Sequence, residues 1–341
     1  MKIAIIGIRG IPVIYSGFES FIEVLAPKLA EKEFDIWVYN RAPYVNKNKK
    51  IYKKVNLITL PTLKSKNFES IIHSTLSTLH ACLFLKPKVI YYLGLGNSPL
   101  TIIPKIFRIK TIINVDGLDW RRDKWGLIAK SYLRAAEYLA TVIPDKVITD
   151  SKYMHKYYLS KYHKHTEYIT YPFDTKLLKN YQGTKKLLAK YKLKSKQYLV
   201  WVGRLVPENK VETLIKAFKQ IKTNYKCVII GDDLYENNYK KYIYRIAKED
   251  SRIVRTGFLP RDKYAALLKN SLCYVETKCS GGTHPSLVEA TKLSKPVILN
   301  NDLFGIEKKI PWNYWSRSIK NNQFETKIII SKYLNLLNHM E

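Results

Sequence analysis

The stretch Lys2-Ile3-Ala4-Ile5-Ile6-Gly7-Ile8-Arg9-Gly10, closely followed by Tyr15-Ser16-Gly17-Phe18-Glu19, decides the fold class of this sequence. A short run of mostly β-branched residues ends at a glycine, and an amphipathic helical pattern begins at residue 18. A strand, a glycine-lined loop and a helix in this order are typical of parallel α/β sheets. The stretch therefore predicts the first strand, the first loop and the first helix of an α/β domain.

The same alternation continues along the chain. Strands are predicted at 3–6, 35–39, 55–60, 89–93, 111–115 and 146–149, and again at 198–202, 227–230, 253–256, 272–275 and 297–299. Helices are predicted at 18–32, 68–85, 125–139, 211–222, 239–249, 262–269 and 285–293, with one terminal helix at 322–338. Strands separated by helices predict parallel sheets with right-handed crossovers.

The pattern loosens between residues 172 and 195, and 341 residues are enough for two cores at about 100–200 residues each. We therefore expect two Rossmann-like domains at 1–174 and 175–315, with 316–341 contributing a helix that packs back on the first domain. Ligands of open parallel sheets bind at the carboxyl ends of the strands, so we expect the ligand in the cleft between the domains.

The chain carries 59 Lys+Arg against 28 Asp+Glu, a formal net charge of +31. Abundant Lys, Tyr, Ile and Asn would also follow from an AT-rich coding sequence, with no binding partner. Alternatively, the basic clusters at 47–54 and 152–164 favour an anionic membrane surface or a phosphate-rich ligand. No zinc-finger spacing, aromatic RNA-binding signature or basic heptad is present, so we expect no nucleic-acid partner.

The four cysteines, Cys82, Cys227, Cys273 and Cys279, form no CxxC pair, which predicts a reducing, cytoplasmic environment. The apolar run before Gly7 is too short for a signal peptide, and no apolar stretch reaches the roughly 20 residues of a membrane span. Scattered histidines and the lack of an Asp-x-Asp pair predict that no metal is bound.

Two loops in the sequence suit an anion. Gly17 opens a helix after a glycine-lined loop, and Arg9 adds a positive charge, although Ser16 and Glu19 also satisfy a helix-stabilising capping box. In the second half, Arg204 and Lys210 follow a strand and can neutralise a diphosphate, or else form a solvated surface pair.

Two acidic residues also stand at expected ligand positions. Glu289 lies one turn inside a helix that starts after a Gly-Gly turn, where it can accept hydrogen bonds from ribose, or complete a capping box with Ser286. Asp116 follows a buried strand and can bind a sugar hydroxyl or the attacking acceptor oxygen, or cap an Asx turn.

Four ordered blocks together resemble the rhamnosyltransferase-type branch of glycosyltransferase family 4: residues 6–12 with 15–19, 116–122, 203–209, and 281–290. The resemblance implies a GT-B fold, with an N-terminal acceptor-binding domain and a C-terminal nucleotide-sugar-binding domain. It further implies retaining, metal-independent transfer of a sugar, L-rhamnose from dTDP-L-rhamnose, in the synthesis of surface polysaccharide such as lipopolysaccharide or capsule. The nucleotide sugar, dTDP- or UDP-linked, is a co-substrate and no other cofactor is implied. The acceptor is a glycan or a polyprenyl-diphosphate-linked glycan.

The resemblance also implies roles for individual residues. The implied catalytic residues are Asp116, Arg204 and Glu289. The implied donor-binding residues are Gly17, Arg204, Lys210, Gly282, Thr283, His284, Ser286 and Glu289. The implied acceptor-binding residues are Arg9, Tyr15, Glu19 and Asp119.

Two other functions remain open at this point. A nucleotide-sugar 2-epimerase has a similar two-domain fold and needs no acceptor, and a non-catalytic basic protein would bind membrane or nucleic acid through charge alone. With a lipid-linked acceptor, we expect the lysines of the first domain to hold the enzyme peripherally on the inner face of the plasma membrane.

Overall fold

The structure is a computed structural model that describes residues 1–12, 17–63, 68–121, 125–172, 181–233, 236–277, 284–299 and 326–340. Within these residues the chain forms two sheets of mainly parallel strands, with helices packed on their faces. The α/β class with two parallel sheets is therefore confirmed. The expected domain boundary near residue 175 lies outside the described residues.

The first sheet has eight strands, and all of its pairings are parallel except that of β3 with β4. Its strands are β1 (Lys2–Ile6), β2 (Asp35–Arg41), β3 (Ile51–Tyr52), β4 (Val55–Leu60), β5 (Val89–Leu93), β6 (Lys110–Val115), β7 (Lys146–Thr149) and β8 (Glu167–Tyr168). They lie in the order β3-β4-β2-β1-β5-β6-β7-β8. Because β1 pairs with β2 and β5, the loop after β1 leaves the middle of the sheet edge.

The second sheet is entirely parallel, in the order β11-β10-β9-β12-β13. Its strands are β9 (Tyr198–Val202), β10 (Lys226–Ile230), β11 (Ile253–Gly257), β12 (Cys273–Glu276) and β13 (Val297–Leu299). Its central strand is β9, so the loop carrying Arg204 also leaves the middle of a sheet edge.

The helices cover both sheets. They are α1 (Gly17–Ala30), α2 (Glu69–His80), α3 (Ile102–Ile106), α4 (Leu127–Val142), α5 (Lys152–Tyr162), α6 (Thr184–Lys190), α7 (Val211–Gln220), α8 (Asn238–Lys248), α9 (Arg261–Asn270), α10 (Pro285–Lys292) and α11 (Thr326–Asn338). The predicted helix at 68–85 is α2 followed by a π turn at Ala81–Leu85, because the N–H of Lys86 bonds to the carbonyl of Ala81, five residues back. The helices α3, α5 and α6 were not predicted from the sequence; α3 has only five residues, and α5 and α6 are rich in lysine.

Alternating strand residues build two cores on the first sheet. Ile3 and Ile5 face a core that includes α1, whereas Ala4 and Ile6 face a core that includes α4 and α5. The terminal helix α11 joins the first of these cores: Tyr333 is buried there, and its hydroxyl lies 3.0 Å from that of Tyr91.

Candidate active site

The loop after β1 is held close to the sheet edge. Gly7 has a φ of +112°, and a Cβ there would lie 2.3 Å from the carbonyl oxygen of Leu93, so only glycine fits. Asn40 binds the backbone of Ile11 twice, accepting from its N–H and donating to its carbonyl, both at 3.1 Å. The loop that carries Arg9 therefore has a fixed path.

The side chain of Glu19, in α1, also binds this loop. Its Oε1 accepts a hydrogen bond of 2.8 Å from the N–H of Arg9. Tyr15 and Ser16, the predicted acceptor and capping residues, lie outside the described residues. Glu19 is 4% exposed, and its Oε2 has no hydrogen-bond partner among the described residues. Since buried polar atoms are normally paired, this oxygen is a candidate acceptor for a ligand hydroxyl.

The first residues of two helices meet between the domains. Gly17 begins α1 in the first domain, and Pro285 begins α10 in the second. A Cβ added to Gly17 would lie 3.6 Å from Cγ of Pro285. Helix N-termini carry positive partial charge, so this junction favours an anion. Gly282 and Thr283, which precede α10, lie outside the described residues.

The loop after β9 places Arg204 and Lys210, both half-buried, at the carboxyl edge of the second sheet. The side-chain amide of Asn209 donates to the carbonyl of Arg204 at 2.7 Å. The hydroxyl of Thr277 donates to the carbonyl of Asn209 at 2.5 Å and accepts from the indole N–H of Trp201 at 2.7 Å. The loop is thereby tied to the end of β12.

Glu208 in this loop was not found by the sequence analysis. It is buried, and neither carboxylate oxygen has a hydrogen-bond partner among the described residues. Burying an unpaired carboxylate is costly, and natural proteins retain such groups chiefly at functional sites. Its place between Arg204 and Lys210 adds an unsatisfied acceptor to the candidate site.

A polar network lies below the start of α10. His284, the residue before Pro285, places Nδ1 3.2 Å from Oε2 of Glu276. The hydroxyl of Tyr274 donates to the same oxygen at 2.9 Å and lies 2.8 Å from Oγ of Ser286. Burial, and then the charge of Glu276, raise the pKa of Tyr274 well above its ordinary value, so it stays a donor. The predicted donor residues His284 and Ser286 are thus joined through Glu276 and Tyr274.

Glu289 is buried and bound by two residues of α9. Its Oε1 lies 2.5 Å from Nη2 of Arg261, and its Oε2 accepts from the hydroxyl of Tyr264 at 2.5 Å. Each carboxylate oxygen has a second lone pair, which these contacts leave available as a hydrogen-bond acceptor. Sequence reasoning missed Arg261 and Tyr264 because no local spacing relates them to Glu289.

The segment after β6 carries the predicted residues Asp116 and Asp119. Burial raises the pKa of Tyr171 well above its ordinary value, and the negative charge of Asp116 adds to this effect. Asp119 begins a 3-10 turn that also contains Trp120. The indole N–H of Trp120 donates to Oε2 of Glu137 at 2.7 Å, which fastens the segment to α4.

Glu137 is the centre of the hydrogen-bond network that fastens this segment to α4. Its Oε1 also accepts from Tyr157, Lys161 and Tyr162 of α5, at 2.7, 2.8 and 2.6 Å. Burial acts to raise the pKa of Glu137, but the hydrogen bonds from Lys161, Tyr162, Tyr157 and Trp120 outweigh it and lower the pKa. No motif signals this residue, because its partners come from two other segments.

Within the described ranges, no group of three or more His, Cys, Asp or Glu side chains could hold a metal ion. Three of the cysteines, Cys82, Cys227 and Cys273, are buried free thiols, and Cys279 lies outside those ranges. No helix among the residues described is both long and apolar enough to cross a bilayer.

Two α/β domains with parallel sheets, which meet at the N-termini of α1 and α10, have the GT-B architecture of glycosyltransferases. The chain belongs to the family described as "Domain of unknown function (DUF1972)", whose model matches residues 1–174. Residues 184–311 match the family "Glycosyl transferases group 1", so the chain is glycosyltransferase-like. No curated protein sequence matches it.

Solved structures of similar fold cover nearly the whole chain. The sucrose-phosphate synthase (tll1590) from Thermosynechococcus elongatus has a TM-score of 0.77 at 16% identity, covering 99% of this chain and 98% of that one. Anabaena Alr3699/HepE in complex with UDP and glucose has a TM-score of 0.77 at 17% identity, covering 99% and 100%. WaaG, a glycosyltransferase involved in lipopolysaccharide biosynthesis, has a TM-score of 0.67 at 10% identity, covering 99% and 95%.

The UDP-GlcNAc 2-epimerase from Methanocaldococcus jannaschii has the same fold at a lower TM-score of 0.59, with 12% identity over 99% of this chain and 100% of that one. The fold alone therefore does not separate transfer from epimerisation.

Proposed function

We propose that this chain transfers a hexosyl group from a nucleoside-diphosphate sugar to a hydroxyl of a glycan or lipid-linked acceptor in surface-polysaccharide synthesis, with retention of configuration and without a metal ion. The first donor we propose is dTDP-L-rhamnose, with UDP-linked hexoses as alternatives. The observation that carries the proposal is the approach of Gly17 to Pro285, which brings the N-termini of α1 and α10 together across the two domains.

In this proposal the donor diphosphate lies between these helix ends and the loop after β9. Arg204 and Lys210 neutralise its charge, and backbone N–H groups at the helix starts add hydrogen bonds. Glu289, held by Arg261 and Tyr264, accepts from the ribose hydroxyls. The HepE complexes with UDP and UDP-glucose support a nucleotide-sugar donor for proteins of this fold.

The proposed transfer is a front-face displacement. The bond from the sugar C1 to the diphosphate oxygen breaks, and the acceptor oxygen forms a bond to C1 on the same face. The acceptor proton passes to the departing phosphate oxygen, and Arg204 stabilises the negative charge that develops there. Closure of the two domains excludes water and limits hydrolysis of the donor.

The acceptor is proposed to bind on the first domain, at Arg9, Tyr15, Glu19 and Asp119, with Asp116 close to the transferred sugar. The buried and unpaired Oε2 of Glu19 supports this assignment, because it can accept from an acceptor hydroxyl while Oε1 keeps Arg9 in place. A Lys or Arg in place of Glu19 would instead repel Arg9 in the neighbouring loop.

A panel of dTDP- and UDP-sugars incubated with a mixed acceptor set, with and without EDTA, tests the proposal by mass spectrometry. We expect one donor to give an acceptor product larger by one hexosyl unit, with EDTA having no effect. An absolute requirement for manganese, or an inverted product anomer by NMR, would refute the mechanism.

Incubating each donor without an acceptor tests the second candidate function, epimerisation, which the similar fold of the 2-epimerase supports. Rapid conversion of a UDP-sugar to its epimer without an acceptor would favour epimerisation, whereas slow hydrolysis fits a transferase. Thermal shift at moderate salt separates a purely basic binding protein, since such a protein responds to heparin and does not distinguish dTDP or UDP from other anions.

A further inference from the structure

The helices α2 and α3 expose an unusual number of large apolar side chains. On α2 and its π turn these are Leu76, Leu79, Leu83 and Phe84, and on α3 and the residue after it Ile102, Ile106 and Phe107. Phe84 is 74% exposed and Ile106 is 78% exposed. Their inner neighbours, such as Cys82, are buried in the core, so the exposed set forms the outer side of this layer of helices.

This surface continues to the start of α4. The helix α3 contacts α2, and the 3-10 segment Leu95–Thr101 that leads into α3 contacts both α2 and α4. The hydroxyl of Tyr132 on α4 donates to the carbonyl of Gly96 at 2.7 Å. Leu127 and Ile128, in the first turn of α4, are 84% and 89% exposed. We name these nine apolar residues and their basic neighbours the α2–α4 face.

Between residues 70 and 115 the charged side chains all have one sign. The sequence contains no Asp or Glu between residues 70 and 115. In the same interval five exposed basic residues lie at or near the ends of α2 and α3: Lys86, Lys88, Lys105, Arg108 and Lys110. Exposed apolar side chains beside these five basic residues complement a surface that offers both hydrocarbon and negative charge.

We infer that the α2–α4 face docks on the surface of an anionic lipid bilayer. A second copy of the chain is a poorer occupant, because a symmetric contact would place these basic residues against each other. In this docking the exposed apolar side chains enter the interface and the basic residues meet the anionic headgroups.

The face lies next to the candidate active site. Leu127 and Ile128 follow closely after the segment of Asp116 and Asp119, and α4 itself holds that segment through Glu137 and Trp120. A lipid-linked acceptor would therefore be presented beside the site, a consequence that rests on the proposed function. The docking itself does not depend on which sugar is transferred.

The basic clusters at 47–54 and 152–164, which the sequence suggested for an anionic surface, are weaker candidates for membrane docking. Lys49 and Lys53 lie 4.7 and 4.6 Å from the ring centre of Tyr52, and Lys161 binds Glu137. The cluster at 47–54 has one large exposed apolar residue, Ile51, at 61%. It therefore provides a matched control surface with similar charge and little hydrocarbon.

Co-sedimentation of the full chain with phosphatidylcholine vesicles, with and without phosphatidylglycerol, tests the inference. We expect binding to the anionic vesicles that weakens with salt. The double variant Phe84→Ser/Ile106→Ser should reduce the partition coefficient by about tenfold or more. Lys105→Gln/Arg108→Gln should reduce it by about fivefold for each charge removed. The matched variants Ile51→Ser and Lys49→Gln/Lys50→Gln should bind as the unchanged protein does.

Melting temperature and binding of dTDP or UDP, measured for every variant, show that the fold and the donor site are intact. Equal binding of the unchanged protein to neutral and anionic vesicles, or no binding to either, would overturn the inference. So would normal binding of the Phe84→Ser/Ile106→Ser variant, or an equal loss in the matched variants. A chain that docks but transfers no sugar would contradict the proposed function and leave the docking face in place.

Discussion

Gly17 and Pro285 stand so close across the two domains that a Cβ on Gly17 would lie 3.6 Å from the proline Cγ. This is an ordinary contact distance, so one methyl group fits and a branched side chain does not. We therefore expect Gly17→Ala to keep most of the transfer activity and Gly17→Val to lower kcat/KM at least about tenfold, because the domains would be held apart around the diphosphate.

Gly126, where an added Cβ meets nothing within 4 Å, provides the matched control. Gly126→Val should transfer sugar at close to the normal rate. Steady-state kinetics with the donor found by the panel measures all three variants. Full activity of Gly17→Val would show that the junction of α1 and α10 is not part of the donor site.

Arg204 is the side chain we expect to contribute most to charge stabilisation. Arg204→Ala should raise the activation barrier by roughly 2–4 kcal/mol, since a donor aimed at developing charge is lost. The control is Arg245→Ala, which removes an exposed arginine of α8 in the same domain. Single-turnover rates at saturating donor measure the effect, and a fully active Arg204→Ala variant would contradict the assignment.

Glu137 should contribute to stability far more than a surface carboxylate does. Glu137→Gln replaces an acceptor by an amide that cannot satisfy all four donors and leaves Lys161 unneutralised. We expect a loss of about 2–4 kcal/mol in the free energy of unfolding, measured in urea. Glu167→Gln, which breaks the exposed pair with Lys146, should cost less than about 1 kcal/mol. Equal losses would show that the Glu137 network is not a structural anchor.

Because of the buried His73, we expect the free energy of unfolding to fall in acid. Burial, and then the charge of Arg41, lower the pKa of His73 from 6.5 to about 4, so the folded chain resists a proton that the unfolded chain takes up. The contribution of His73 to stability is therefore fully present above pH 6.5, and up to about 3 kcal/mol of it is lost as the pH falls toward 4.

Urea unfolding of His73→Gln across this range tests the pH effect, because glutamine does not titrate there. Its stability relative to the unchanged protein should rise as the pH falls. Since His73 lies 3.1 Å from the carbonyl of Asn40, which binds the loop of Arg9, loss of acceptor binding should accompany the transition.

Much of the fold was predictable from short-range patterns. Buried parallel strands are short runs of apolar, often β-branched residues, so β4, β5, β7, β9 and β13 were placed at the residues they occupy. The helix α5 was missed because its lysines and tyrosines hide the apolar stripe that buries Met154 and Tyr158. The π turn after α2 depends on the conformation of Lys86, which no local pattern signals.

The candidate site was partly predictable for the same reason. Glycine loops and strand ends locate Arg9, Gly17 and Asp116 in the first domain and Arg204 in the second, because the loops that follow parallel strands lie at the carboxyl edge of each sheet. The partners that hold them, including Glu137, Arg261 and Thr277, lie in other segments and became evident only in three dimensions. Glu208 likewise looks like an ordinary surface carboxylate in sequence, yet it is buried.

The sequence by itself determined the α/β class and the places of the glycine loops that we propose for the ligand, because the 2.0 and 3.6 residue periods of apolar residues and the glycines after strands act over a few neighbours. Only the tertiary structure decided that Gly17 meets Pro285 and that α2 to α4 share one apolar, basic face. Those contacts join residues far apart in the chain, and their partners are selected by the burial of whole surfaces rather than by any local preference.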